Sequence, residues 1–260
     1  MYWNIGQRSR SACFSACHFN RMSTQMAIPD LDAWKAWHPV ELARRLNAVH
    51  LPWCVVGGWA LDLWHGAQTR EHGDLEFTIL REDFGTFRQA FDDLAFYTAH
   101  AGVVEKLPEN QNAPSGIMQF WGFDRADGSW RIDMMIEPGT VESWAYKRKP
   151  SFKRPRAEMV TKTNDGIPYL NPSAVLLFKA RDRRPKDQQD FDKALPKLPA
   201  AERAWLKGCP DVLGIGGHWT TVTIPRHLQT WPIPLNTTDE ATHATSNRQP
   251  VHCRRPAWRR

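Results

Sequence analysis

The segment "DLEFTIL", residues 74–80, sets Asp74 and Glu76 two positions apart in a run that alternates polar and apolar residues. Strand side chains repeat every second residue, so Leu75, Phe77 and Ile79 should face one way and Asp74, Glu76 and Thr78 the other. Two carboxylates on one strand face can share a hard divalent cation such as Mg2+, which prefers oxygen ligands. Transfer of a phosphoryl or nucleotidyl group calls for that arrangement. The protein must position the reactants and neutralise phosphate charge, and ions held by carboxylates clamp the attacking and leaving oxygens. A third acid, Asp133, stands amid Ile132, Met134 and Ile136 in "RIDMMIE". An acid in so apolar a strand calls for a partner or a role, and on a strand next to the first it would complete a cage.

Gly57 and Gly58 follow the apolar run "LPWCVV" and precede "WALDLWHG". Glycines between a strand and a helix let backbone N–H groups approach phosphate oxygens, and the helix N-terminus adds the positive end of its dipole. Arg70 and His72 lie just before the acid pair, with His72 on the Asp74 side of an extended segment. They could touch a phosphate or brace the loop by hydrogen bonds. Lys179 has an ammonium suited to a β- or γ-phosphate, with Lys186 as its competitor; either could instead pair with Asp182, Asp187 or Asp190.

These residues need elements to hold them. "HPVELARRLNAVH" carries helical spacing with Pro39 in a first turn, "LPWCVV" reads as a short buried strand, and "WALDLWHG" as a helix closed by Gly66. "EDFGTFRQAFDDL" is helical and "AFYTAH" a strand, while "IMQFWGF" and "SWRIDMMIE" flank the turn sequence "DRADG" as a hairpin. This order predicts a mixed sheet covered by helices over residues 26–150. "KRKPSFKRPR" reads as a solvated connector. Beyond it, Asn171 and Pro172 open the helix "SAVLLFKARD", and "PKDQQDFDKAL" and "PAAERAWL" add two more, so residues 151–210 read as a helical subdomain. Trp59, Trp64, Trp121 and Trp130 lie in patterned segments, where core packing is the default and stacking on a sugar or base the alternative.

Net charge is +6 over 260 residues, but it sits at the ends. Residues 1–25 hold three arginines and no acid, and residues 211–260 hold six arginines against three acids, which leaves the middle neutral. That distribution argues against nucleic acid as a partner. Both ends lack helical periodicity and enough apolar surface to offset ordering entropy, so 1–25 and 211–260 are expected to be disordered tails. No apolar run approaches the roughly 20 residues of a membrane span, and no signal-peptide core appears, which reads as a cytoplasmic protein with no membrane partner. Five cysteines, four of them in or beside the ends, do not suggest a disulfide framework.

The joint order of apolar strand, Gly-Gly, short helix, polar loop, D-x-E strand and later strand with a central Asp resembles the DNA polymerase β nucleotidyltransferase superfamily. The segments "GGWALDLWHGAQTREHGDLEFTI", "GSWRIDMMIEPG", "DGIPYLNPSAVLLFKARDRRPKDQQDF" and "LPAAERAWL" resemble the small bacterial aminoglycoside and lincosamide nucleotidyltransferases, particularly the aminoglycoside 2''-adenylyltransferase-like group. The resemblance spans about residues 35–207 and implies an α/β (α+β) fold, a polymerase-β-like mixed sheet flanked by helices plus a small helical C-terminal lobe. It implies an enzyme that transfers a nucleoside monophosphate, AMP from ATP or another triphosphate, to a small-molecule hydroxyl, acting as a monomer or homodimer. In it Gly57 and Gly58 would contact the triphosphate, Asp74 and Glu76 would bind Mg2+, and Asp133 would be the third ligand or the general base. Glu76 stands where many relatives have Asp. Beyond "AERAWL" the chain departs from the family pattern. Nucleotidylation of tRNA or protein, or nucleotide binding without catalysis, are the alternative readings.

Overall fold

The computed structural model describes residues 28–181 and 184–213. The expectations for the tail at 1–25, for residues 214–260 and for Asp182 lie outside the described residues. In chain order the elements are α1 (Pro39–Arg45), β1 (Trp53–Val55), α2 (Gly57–His65), β2 (Glu76–Leu80), α3 (Phe84–Ala90), β3 (Leu94–His100), β4 (Val103–Lys106), β5 (Gln119–Asp124) and β6 (Ser129–Glu137). There follow β7 (Ser143–Ala145), β8 (Lys153–Pro155), α4 (Arg156–Met159), β9 (Val160–Lys162), β10 (Pro168–Leu170), α5 (Pro172–Lys179), α6 (Pro185–Ala194) and α7 (Ala200–Leu213).

Eight strands form one mixed sheet in the order β4-β3-β5-β6-β2-β1-β10-β9, and β7 and β8 make a separate ribbon. Within the large sheet β2/β6 and β1/β10 run parallel while the other pairs are antiparallel. The alternation read from "DLEFTIL" holds, since Leu75, Phe77 and Ile79 are buried in the core. β6 obeys the same rule: Ile132, Met134 and Ile136 join that core, which leaves Asp133 on the opposite face. Because β2 and β6 are parallel neighbours, the two acid-bearing faces coincide.

Local chemistry explains the element ends. Asn171 accepts a hydrogen bond from the Ser173 N–H and Pro172 occupies the first turn of α5, as its sequence requires. At the end of α2, Gly66 adopts φ 73°, a left-handed cap that costs a glycine nothing. In the β5–β6 hairpin Asp124 accepts from the Ala126 and Asp127 N–H groups, and Gly128 takes the positive φ.

The sequence reading placed residues 160–170 in the helical lobe, yet they supply β9 and β10 at the β1 edge of the main sheet. Three-residue strands carry almost no alternation, so neither the basic connector nor "TNDGIPYLNP" announces them. Helix α5 then leaves the sheet and packs against α2 and α7. α7 runs on through Cys209 to Leu213, so the first three residues of the tail expected over 211–260 are helical instead. Among the described residues, no helix is long and apolar enough to cross a membrane.

Candidate active site

Glu76 and Asp133 are directly paired across the parallel β2/β6 ladder. Asp74 lies just before β2, half-buried, and the Asp133 N–H donates to the Leu75 carbonyl at 2.9 Å, which continues the pairing toward Asp74. The three acids are therefore brought together at one end of two neighbouring strands. Burial first, then the Asp74 carboxylate, pushes the Glu76 carboxyl up to about 7. Asp133, 4 % exposed, is raised well above the ordinary aspartate range by burial and next by the Glu76 charge. Like charges gathered in a poorly solvated place favour protons or a counter-cation.

The Asp133 carboxylate is held asymmetrically. Gln119, on β5, donates from Nε2 to Oδ2 at 2.6 Å, while Oδ1 is buried without a partner among the described residues. A buried orphan acceptor is rare and points to an occupant. Gly57 opens α2 at φ 65°, and a Cβ there would overlap the Glu76 carboxylate. Among the described residues no group of three His, Cys, Asp or Glu side chains forms a ready-made metal cage. In chemical type the donors are those a hard cation takes: Asp74 and Glu76 carry carboxylate oxygens, and Oδ1 of Asp133 is an orphan acceptor.

Gly58 serves a different neighbour. A Cβ there would overlap the Arg70 guanidinium and the His72 ring. Arg70 makes a bidentate pair with Asp190 of α6, at 2.9 and 3.0 Å. His72 stacks on Trp59, ring centroids 4.3 Å apart, and its Nε2 faces Oδ2 of Asp62 at 2.5 Å. Burial lowers the His72 pKa, with Asp62 pulling the other way. Asp62 also accepts from the Thr69 hydroxyl at 2.7 Å, and Lys193 of α6 donates to the Thr69 carbonyl at 2.8 Å. The loop before the acid pair is thus clamped from α2 on one side and α6 on the other.

Lys179 is buried between two carboxylates, 3.0 Å from Asp187 and 2.9 Å from Asp190. Burial is the largest influence on Asp190 and would raise it, but the Arg70 and Lys179 contacts hold its carboxyl below the ordinary value. So Arg70, His72 and Lys179 all surround the site, each already engaged with an acid. Sequence reasoning named Asp187 and Asp190 as alternative partners of Lys179, but missed Asp62, Gln119 and the pairing of Arg70 with Asp190. It also missed Lys147, read as part of a solvated connector. Burial lowers the Lys147 pKa while the Asp133 and Glu76 charges oppose the shift, which places its ammonium within their field. Trp121, the Cα partner of Asp133 on β5, is half-buried with an indole N–H that has no partner among the described residues. For Asp62 a signal existed: it is an acid on an otherwise apolar helix, and it is 4 % exposed.

Residues 40–110 match the family model described as aminoglycoside-2''-adenylyltransferase. Over that segment the chain is similar to the aminoglycoside-2''-adenylyltransferases. The matched segment takes in Gly57, Gly58, Asp74 and Glu76 and stops before Asp133. Among solved structures the chain is similar to a crystal structure of ANT(2'')-Ia in complex with adenylyl-2''-tobramycin, with 14% identity and TM-score 0.46 over 67% of this chain and 95% of that one. It is similar to a solution structure of the antibiotic-resistance factor ANT(2'')-Ia, with 14% identity and TM-score 0.44 over 67% and 92%. It is also similar to an antigenic nucleotidyltransferase-like protein from Paracoccidioides brasiliensis, with 13% identity and TM-score 0.34 over 65% and 73%. Comparison with curated proteins finds no match.

Proposed function

We propose that this chain transfers AMP from ATP to a hydroxyl of an aminoglycoside-class small molecule, releasing pyrophosphate. The observation that carries the reading is the cross-strand pair of Glu76 and Asp133, flanked by Asp74, with Gly57 making room for the Glu76 carboxylate. Asp74 and Glu76 would hold Mg2+, which when bound offsets triphosphate charge and polarises the α-phosphate. At the start of α2, Gly57 and Gly58 make room for the Glu76 carboxylate and for Arg70 and His72, and the helix N–H groups there would face phosphate oxygens. The acceptor oxygen attacks the α-phosphorus in line, its bond to the β-phosphate bridging oxygen breaks, and pyrophosphate carries away the electron pair. Oδ1 of Asp133, unpartnered, takes the hydroxyl proton. Lys147 adds a positive charge that the Asp133 and Glu76 carboxylates feel. Arg70, His72 and Lys179 act here by holding the loop and the second lobe in place.

The test is pyrophosphate release from Mg-ATP in the presence of an aminoglycoside panel, with mass spectrometry of the product. One adenylylated antibiotic per pyrophosphate is the expected result. A protein that binds Mg-ATP and releases no pyrophosphate with any acceptor would overturn the assignment. Asp133→Asn then separates two roles. A base is lost with Mn2+ affinity kept, whereas loss of a metal ligand weakens Mn2+ binding as well.

A further inference from the structure

Asp133 is held by a residue outside its own strand. Gln119 begins β5, and its Cα partner on β6 is Met135, while the partner of Asp133 is Trp121. The two side chains thus share one face and meet on the diagonal of the antiparallel pair. That diagonal spans about 7–8 Å between backbones, a distance only long side chains bridge. The glutamine amide bridges it, donating to Oδ2 at 2.6 Å. Trp121 itself stands beside Asp133 and offers it no hydrogen bond, since its N–H has no partner among the described residues.

We propose that Gln119 is a positioning residue that pins Oδ2 of Asp133 and thereby presents Oδ1 as the single oxygen available to the occupant of the site. The inference rests on the functional reading above for the identity of that occupant, but the geometry it claims is independent of it. A carboxylate with both oxygens free can rotate about its last bond and offer either one. With Oδ2 tied to a neighbouring strand, rotation breaks a charge-assisted hydrogen bond, so the orphan oxygen keeps one direction. Reacting groups misplaced by about 1 Å lose rate on the order of a hundredfold, which is the scale on which such a tether acts.

Two variants test the tether. Gln119→Met has nearly the same reach and no donor; Gln119→Glu has the same size and, when ionised, no N–H. Each is measured in steady-state adenylylation and by crystal structure. The expected result is a fall in kcat of about 10- to 100-fold, a KM for ATP within about twofold of wild type, an unchanged melting temperature, and an Asp133 carboxylate turned away from its present orientation. Retention of kcat within twofold overturns the proposal, as does loss of activity with Asp133 still in place. If one variant fails to fold, the other decides. A wild-type protein silent with every acceptor refutes the functional reading instead. In that case the orientation of Asp133 in the two variant crystals still decides whether Gln119 holds it.

Discussion

Glu76 and Asp133 lie opposite one another on parallel strands that no short turn could join. A parallel pair needs a long crossover, and here that connection includes α3, β3, β4 and β5. The closeness of two acids so distant in sequence is therefore a product of topology, and their mutual repulsion is a cost that the fold carries in the absence of a cation.

That repulsion has a sign in pH. The Glu76 carboxyl titrates near 7 in the folded protein against an ordinary value of 4.5. Between these values the native state keeps a proton that the unfolded chain has released, so stability falls as pH rises from about 4.5 to about 7 and stays low above. Glu76→Gln should remove the penalty and stabilise the cation-free protein at pH 8 by about 1–3 kcal/mol, with little effect at pH 4. Urea titrations at both pH values check this; an equal change at both would contradict it.

Divalent cations should act in the opposite direction. Mg2+ with ATP should raise the melting temperature of the wild type at pH 8, and a ligand at a hundred times its Kd contributes about 2.7 kcal/mol. Glu76→Gln and Asp74→Asn should lose most of that increase while remaining folded. A thermal shift that both variants retain would place the cation elsewhere.

Gly57→Ala should fail for two independent reasons. Its φ of 65° disfavours any side chain, and the added Cβ would overlap the Glu76 carboxylate. A loss of about 1–3 kcal/mol is expected together with loss of adenylylation. Gly66→Ala is the control: it shares a positive φ but has open space around it. It should destabilise the protein and leave kcat near wild type.

Removing Asp190 should separate stability from binding. Arg70 and Lys179 both end on it, and the Asp190 side chain is only 3% exposed. Asp190→Ala leaves two cations without their shared partner and should cost about 3–5 kcal/mol in equilibrium unfolding. Lys179→Met should likewise act through unfolding, because its ammonium is already shared by Asp187 and Asp190. A purely KM-raising effect of Lys179→Met, with unchanged stability, would show that the lysine binds the triphosphate instead.

Much of the first lobe was legible because its strands alternate. β2 and β6 each place core residues on one face, so the sides of Glu76 and Asp133 followed from period two. Asn171, Pro172 and Gly66 announced their helix ends through chemistry confined to a few residues. β9 and β10 were not legible, since three residues set no period and their place depends on β1 as a partner. The pairing of Arg70 with Asp190 was equally hidden, and for Lys179 the sequence offered both a phosphate and nearby acids, a choice that only the packing of α5 on α6 decides.

By itself the sequence determined the types of group present and the face each would take: two acids on one strand, a third in an apolar strand, and glycines ahead of a helix. Those properties are local, governed by side-chain period and backbone freedom. The tertiary structure alone decided which groups meet. It paired Glu76 with Asp133, gave Oδ2 of Asp133 to Gln119, and committed Arg70 and Lys179 to Asp190. Contacts of that kind depend on strand order and lobe packing, and the energies that select them come from burial across the whole chain rather than from any one segment.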